Sequence, residues 1–103
     1  MAALPYFDDP RAEAALLAAL AGLAAAVRAE AARALGRSDA AGAAAGLADA
    51  LEDLDPWVRY RATQAVGERR GRRWWRTLLP RLADSAPHVA ANARLYIYIC
   101  TWI

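Results

Sequence analysis

Apolar residues recur along this chain at helical spacing. Leu16, Leu20 and Leu23 stand at i, i+4 and i+7, and Leu47, Leu51 and Leu54 do the same. Val58, Ala62, Ala65 and Val66 form a further stripe at i, i+4, i+7 and i+8. One apolar face per 3.6-residue turn is the mark of an amphipathic helix. Punctuation falls between the stripes. Asp9-Pro10 and Asp55-Pro56 set an N-cap carboxylate before a proline at the first helical position, and Pro87 opens a later stretch with Ala86 in the cap position. Gly36 and Gly67 close two stretches, which predicts left-handed C-terminal residues. The spacing predicts helices near 10–22, 25–35, 39–53, 56–67, 72–84 and 87–101. Pro80 falls inside the fifth and should kink it or loosen its first turn.

The stripes themselves repeat. Val27, Val58 and Val89 lie 31 residues apart, and the same step carries Leu16 to Leu47 to Leu78 and Leu20 to Leu51 to Leu82. It also carries Ala31 to Ala62 to Ala93 and Leu35 to Val66 to Ile97. A period of this length holding two amphipathic stretches is one helical hairpin per unit, and three units are enough to bury a shared seam. The units run at about 10–36, 37–67 and 68–103, within a single domain spanning 1–103. Helices of about 12 residues are marginal alone in water, so stacking must supply their stability. The small side chains at 31, 62 and 93 would let paired helices approach closely.

The run Leu51-Glu-Asp-Leu-Asp-Pro-Trp-Val-Arg-Tyr-Arg-Ala-Thr-Gln-Ala-Val-Gly67 resembles the HEAT-like repeats of the phycobilisome-lyase type. Those repeats carry a leucine, an aspartate-rich turn, Asp-Pro-x-Val-Arg, and an alanine-rich helix ending in Leu-Gly. Unit one keeps Val27-Arg28 and Leu35-Gly36 but has Ala24-Ala25 where Asp-Pro belongs. Unit three keeps Pro87 and Val89 but has Ala90 for the arginine and Tyr98 for the glycine. The resemblance covers roughly residues 16–98 and implies an all-α fold, an α-solenoid of about three two-helix HEAT-like repeats. It implies a scaffold rather than an enzyme, since such repeats serve many unrelated proteins as platforms. Nothing in the residues points to bilin attachment.

Composition agrees with helix: alanine is abundant and β-branched residues are sparse. All 13 basic residues are arginine, which we read as coding bias. The lone cysteine, Cys100, forms no internal disulfide and is expected to be a small packing residue, with the cytoplasm the default compartment. Residues 1–10 do not read as a signal peptide, and neither Ala14–Val27 nor the apolar run Leu95–Ile103 is suited to span a membrane.

Catalytic chemistry finds no constellation here. Iron-binding enzymes built on such repeats carry paired His-Glu motifs, and this chain has His88 alone. Metal sites need several clustered ligands. No nucleophile–base pair accompanies Cys100. Asp49, Glu52, Asp53 and Asp55 crowd one helix end and the following cap, where capping and solvation account for them. No cofactor, metal or enzymatic activity is therefore expected.

Binding remains, and three surfaces are candidates. Positions 57, 61, 64 and 68 share a face beside the buried stripe, and the 31-residue step turns them into a ladder across units. That ladder holds Glu30, Arg33 and Arg37, then Trp57, Arg61 and Gln64, then His88 and Asn92. An arginine and an indole in its middle suit anchors for a protein partner. The alternative is nucleic acid. Residues 59–81 hold eight arginines against Glu68 alone, and Arg69, Arg70, Arg72, Arg73 and Arg76 cluster with Trp74. Guanidinium forks bind phosphate, and a free indole stacks on bases. Trp75 is assigned to the core with Leu78, Leu79 and Leu82. Last, Leu95, Tyr98, Ile99, Trp102 and Ile103 leave the terminal helix more apolar than a capping repeat should be. That end is a candidate for self-association, for partner docking, or for continuation in a longer array.

Overall fold

The computed structural model describes residues 10–37, 41–68 and 74–102. Among them are five α-helices, one 3₁₀ helix and no strand: α1 (Pro10–Leu20), α2 (Ala25–Leu35), α3 (Ala41–Ala50), α4 (Pro56–Glu68), the 3₁₀ helix (Trp74–Ala83) and α5 (Pro87–Trp102). The architecture is the all-α solenoid that the period implies. The second helices lie side by side, α2 on α4 and α4 on α5. On the other layer α1 packs against α2 and α3, while the 3₁₀ helix rests on α5 and α4.

The seam between layers is dry and built largely of small residues. Ala29, Ala32, Ala62, Ala65 and Ala93 are buried between Leu35, Leu47, Val58, Val66 and Leu78. Ala31, Ala62 and Ala93 are buried as their shared register requires. The valines part company, however. Val58 and Val89 are fully buried, whereas Val27 is 50% exposed. Among the described residues no helical hairpin precedes the pair formed by α1 and α2.

Gly36 caps α2 where the sequence places it and Gly67 falls one residue short of the end of α4, and neither serves the expected reason. Gly36 has φ −59° and ψ −22°, ordinary right-handed helix, and Gly67 lies inside α4. What they supply is closeness. A Cβ on Gly36 would come within 2.7 Å of the Ala65 Cβ, and one on Gly67 within 2.2 Å of the Tyr96 ring. Glycine thus stands where one second helix touches the next. At the same position unit three carries Tyr98, which is exposed. The register of the buried Ala32 and Thr63 brings up an exposed Arg94. The outer face of α5 is therefore not shaped to receive another hairpin as α2 receives α4.

The first helices end sooner than the leucine spacing suggests. After Ala50 the ladder tightens, with the N–H groups of Glu52 and Asp53 donating to the carbonyls of Asp49 and Ala50. Gly22 and Asp84 make the matching bond at their own turns, to Ala19 and Arg81. Tightening of this kind satisfies the last carbonyls of a helix. It leaves Leu23 and Leu54 in the turns, 101% and 96% exposed, rather than on a buried stripe.

The fifth element departs most. With Pro80 inside it, which lacks an N–H and crowds the preceding turn, residues 74–83 adopt a 3₁₀ helix in place of the predicted α-helix. In a 3₁₀ helix positions i and i+3 eclipse. Leu78 and Arg81 consequently share one face, and Leu79 and Leu82 another. Leu78 is buried, whereas Leu79 and Leu82, expected in the core, are both more than 40% exposed. The side chains of Trp75 and Cys100, also assigned to packing, lie outside the described residues.

Candidate partner-binding surface

Two arginines bind successive hairpins together. Arg28 donates from Nε and Nη2 to both carboxylate oxygens of Asp53, at 2.9 and 3.0 Å, and from Nη1 to the carbonyls of Gly22 and Leu23. Arg59 repeats this one unit later, to Asp84 at 2.8 and 3.0 Å and to the carbonyls of Asp53 and Leu54. Each guanidinium closes its own turn and grips the carboxylate of the next. Asp53 and Asp84 in turn accept the N–H of Asp55 and of Ala86. Asp55 caps α4 through the Trp57 N–H at 2.8 Å, as the Asp-Pro signal predicts. The acidic group is therefore more than caps and solvated charge: Asp53 is a cross-unit bridge, and Glu52 receives Arg81. Position 90 is alanine, so unit three lacks the arginine of this bridge.

Burial pushes both carboxyls up. The bonds from Arg28 and the Asp55 N–H outweigh it and hold Asp53 below its ordinary value. The bonds from Arg59 and the Ala86 N–H do the same for Asp84. These bridges fix the spacing of α2, α4 and α5, and hence the outward row that those helices present.

On that row the middle of the predicted ladder assembles. Trp57 stacks on Tyr60 with ring centroids 5.3 Å apart and planes at 16°, and Tyr60 meets His88 of the next unit at 5.4 Å. The Arg61 guanidinium lies over the Trp57 ring at 4.6 Å, and its Nη1 donates to Gln64. Trp57 remains 44% exposed. Asn92 takes on α5 the place that Arg61 has on α4, and both are half-buried. Two donors here find no acceptor, the Arg61 Nε and the Asn92 Nδ2. A buried donor left unpaired costs about 1–3 kcal/mol.

Glu30 and Arg33 stand exposed on α2, and no hydrogen bond between described residues joins them to this cluster. Tyr60 was not among the sequence candidates. Its signal was there, three residues from Trp57 and so on the same helical face. Leu95 and Ile99 are exposed along the Asn92 side of α5, while Tyr98 is exposed on the outer face. The side chain of Trp102, and Ile103, lie outside the described residues, as do Arg69, Arg70, Arg72, Arg73 and the Trp74 side chain. Arg76 is exposed at the start of the 3₁₀ helix and already engaged in a contact. Among the described residues no group of His, Cys, Asp or Glu could hold a metal ion, and no helix is long and apolar enough to cross a membrane.

Helical hairpins laid side by side, tied by the same bridge at the same offset, define a helical-repeat protein. The profile of HEAT repeats matches residues 1–67, and the chain belongs to the HEAT-repeat family. No curated protein matches it.

Proposed function

We propose that this chain is a non-enzymatic interaction domain that engages a protein partner through the row on α4 and α5. One observation carries this: Trp57, Tyr60, Arg61 and His88 form a connected aromatic and cationic surface across two repeats. Aromatic and arginine side chains are the residue types that dominate binding energy at protein interfaces. Gln64 and Asn92 flank the cluster, and Glu30 and Arg33 extend the row onto α2. The domain comprises three units over residues 1–103 and works in the cytoplasm without a cofactor. Its closer kinship is with the phycobilisome-lyase type of repeat, because each part of Asp55-Pro56-Trp57-Val58-Arg59 has a task. Asp55 caps, Pro56 starts the helix, Val58 fills the seam and Arg59 bridges to the next turn.

The test is affinity capture of partners with the wild-type chain and with Trp57→Ala and Arg61→Ala, each first checked for a native circular dichroism spectrum. Both substitutions are expected to abolish capture. Retained capture by both would overturn the assignment of this face. A nucleic-acid role for the arginines at 69–76 predicts instead steeply salt-dependent oligonucleotide binding, lost on Arg72→Ala/Arg73→Ala/Arg76→Ala. Self-association is assigned to the outer face of α5, where sedimentation of a Tyr98→Ser variant against the wild type reads it out.

A further inference from the structure

We infer that the row on α4 and α5 takes an extended peptide bearing an acidic side chain, with its carboxylate received by Arg61 and Asn92. The inference rests on the interaction-domain reading above and adds the chemistry of the partner. Three observations point the same way.

Three buried side-chain polar atoms find no partner among the described residues, and all are donors; Arg81 Nε lies within the Asp84 and Glu52 ion pairs, and the other two lie on this row. Arg61 Nε and Asn92 Nδ2 are enclosed beneath neighbouring side chains with no acceptor in reach. They occupy the same register, 31 residues apart, on α4 and α5, which pack together. What they lack is an acceptor, and a carboxylate offers two oxygens that match a guanidinium fork. In the free protein the Arg61 guanidinium is parked over Trp57. An incoming carboxylate draws it outward and meets the amide of Asn92 on the other side. The exposed indole is then free to cover the peptide backbone.

The carboxylates on either side disfavour a polyanion, although Arg33 and Arg37 are also exposed on α2 and just beyond it. Glu30 holds the register of Arg61 on α2, and Glu68 follows Arg61 by seven residues on α4; both are exposed. A phosphate backbone tracking along the row would meet those carboxylates, whereas a single acidic side chain set between them does not. Like charge brought into contact is strongly disfavoured at an interface.

Next to the donors the row turns apolar. Leu95 and Ile99 are exposed one and two turns beyond Asn92. The span from Asn92 to Ile99 is about 10 Å along a helix axis. An extended chain covers that in about three residues. The peptide that fits therefore places a leucine-like side chain about three positions from its glutamate.

The measurement is fluorescence anisotropy with a set of labelled peptides holding Leu-x-x-Glu in both chain directions and varied flanks, their Leu-x-x-Gln counterparts, and a single-stranded oligonucleotide. Glu peptides are expected to bind at least about thirtyfold more tightly than Gln peptides. Arg61→Gln removes that preference. Asn92→Asp reverses it, because a second carboxylate now faces the ligand. Circular dichroism confirms that both variants fold. Glu and Gln peptides binding alike, with both lost on Trp57→Ala, would overturn this inference and leave the interaction-domain reading standing. Binding unaffected by Trp57→Ala, absence of binding throughout the set, or an oligonucleotide that outcompetes every peptide would overturn both.

Discussion

Asp84 is the residue on which the most donors converge: two from Arg59, one from Arg81 and the N–H of Ala86. Its side chain is 2% exposed, and Arg59 beside it 13%. Truncating Arg59 leaves the buried Asp84 with Arg81 and the Ala86 N–H but without its bidentate partner, so Arg59→Ala is expected to cost about 3 kcal/mol, read from urea unfolding. The pair Arg28–Asp53 is more open, and Arg28→Ala should lower stability less. The pH dependence follows from Asp53 and Asp84, both held below their ordinary carboxylate value. A carboxyl whose pKa is lower folded than unfolded adds stability above the unfolded value, about 3.9, and loses it as pH falls through the folded one. The thermal midpoint should therefore hold between about pH 7 and 5 and fall below about pH 4, and the fall should be shallower in Asp53→Asn/Asp84→Asn. A second residue-scale test concerns Gly67. Its replacement by alanine drives a Cβ into the Tyr96 ring, and overpacking of this kind costs about 1–3 kcal/mol. Adding Tyr96→Ala should recover part of that loss. Gly36→Ala has no such rescue, since the obstacle includes the Ala65 backbone.

At the scale of elements, the apolar period fixed the helix starts almost to the residue: 10, 25, 56 and 87 agree with Pro10, Ala25, Pro56 and Pro87. Three of these starts, at Pro10, Pro56 and Pro87, were legible because a proline after a capping position is a local signal, whereas Ala25 came from the 31-residue register. Ends were less so. Leu23 and Leu54 continue the leucine spacing, yet a turn that must face an arginine of its own unit ends the helix first. The cue lay in the same 31-residue step, which carries Arg28 to Arg59 and Asp53 to Asp84, but an ion pair across units leaves no mark on hydrophobic periodicity. The glycines misled for a related reason. Glycine at a helix end most often serves a positive φ, and only the neighbouring helix reveals that here it serves closeness. In the row proposed for binding the register gave Trp57, Arg61, Gln64, His88 and Asn92, while Tyr60 fell just off the chosen line. The 3₁₀ helix offers the test at this scale. Pro80→Ala restores an N–H to the middle of residues 74–83, and the far-UV circular dichroism of that variant should gain α-helical signal. An unchanged spectrum would show that packing on α4 and α5, rather than the proline, sets the tighter winding.

For the whole molecule, stability in stacked repeats is close to a sum of units and the interfaces between neighbours. The arginine bridges are those interfaces made specific, so the wild type should unfold as one body, with tryptophan fluorescence and circular dichroism tracing coincident urea transitions. Arg59→Ala should separate the two curves, because it frees the 3₁₀ helix and α5 from the hairpin before them.

Each bridge also has a direction, leaving a second helix and landing on the turn that follows. A segment equivalent to residues 37–67 carries both halves, a landing carboxylate in Asp53 and a departing guanidinium in Arg59. Duplicating that segment in place would give every copy a complete set of fittings, and the lengthened protein should melt no lower than the original. Grafting the same copy beyond α5 would meet Ala90, Arg94 and Tyr98, and should dangle unfolded. The molecule behaves in this respect like a chain of links that opens for insertion between α2 and the 3₁₀ helix and is closed at α5.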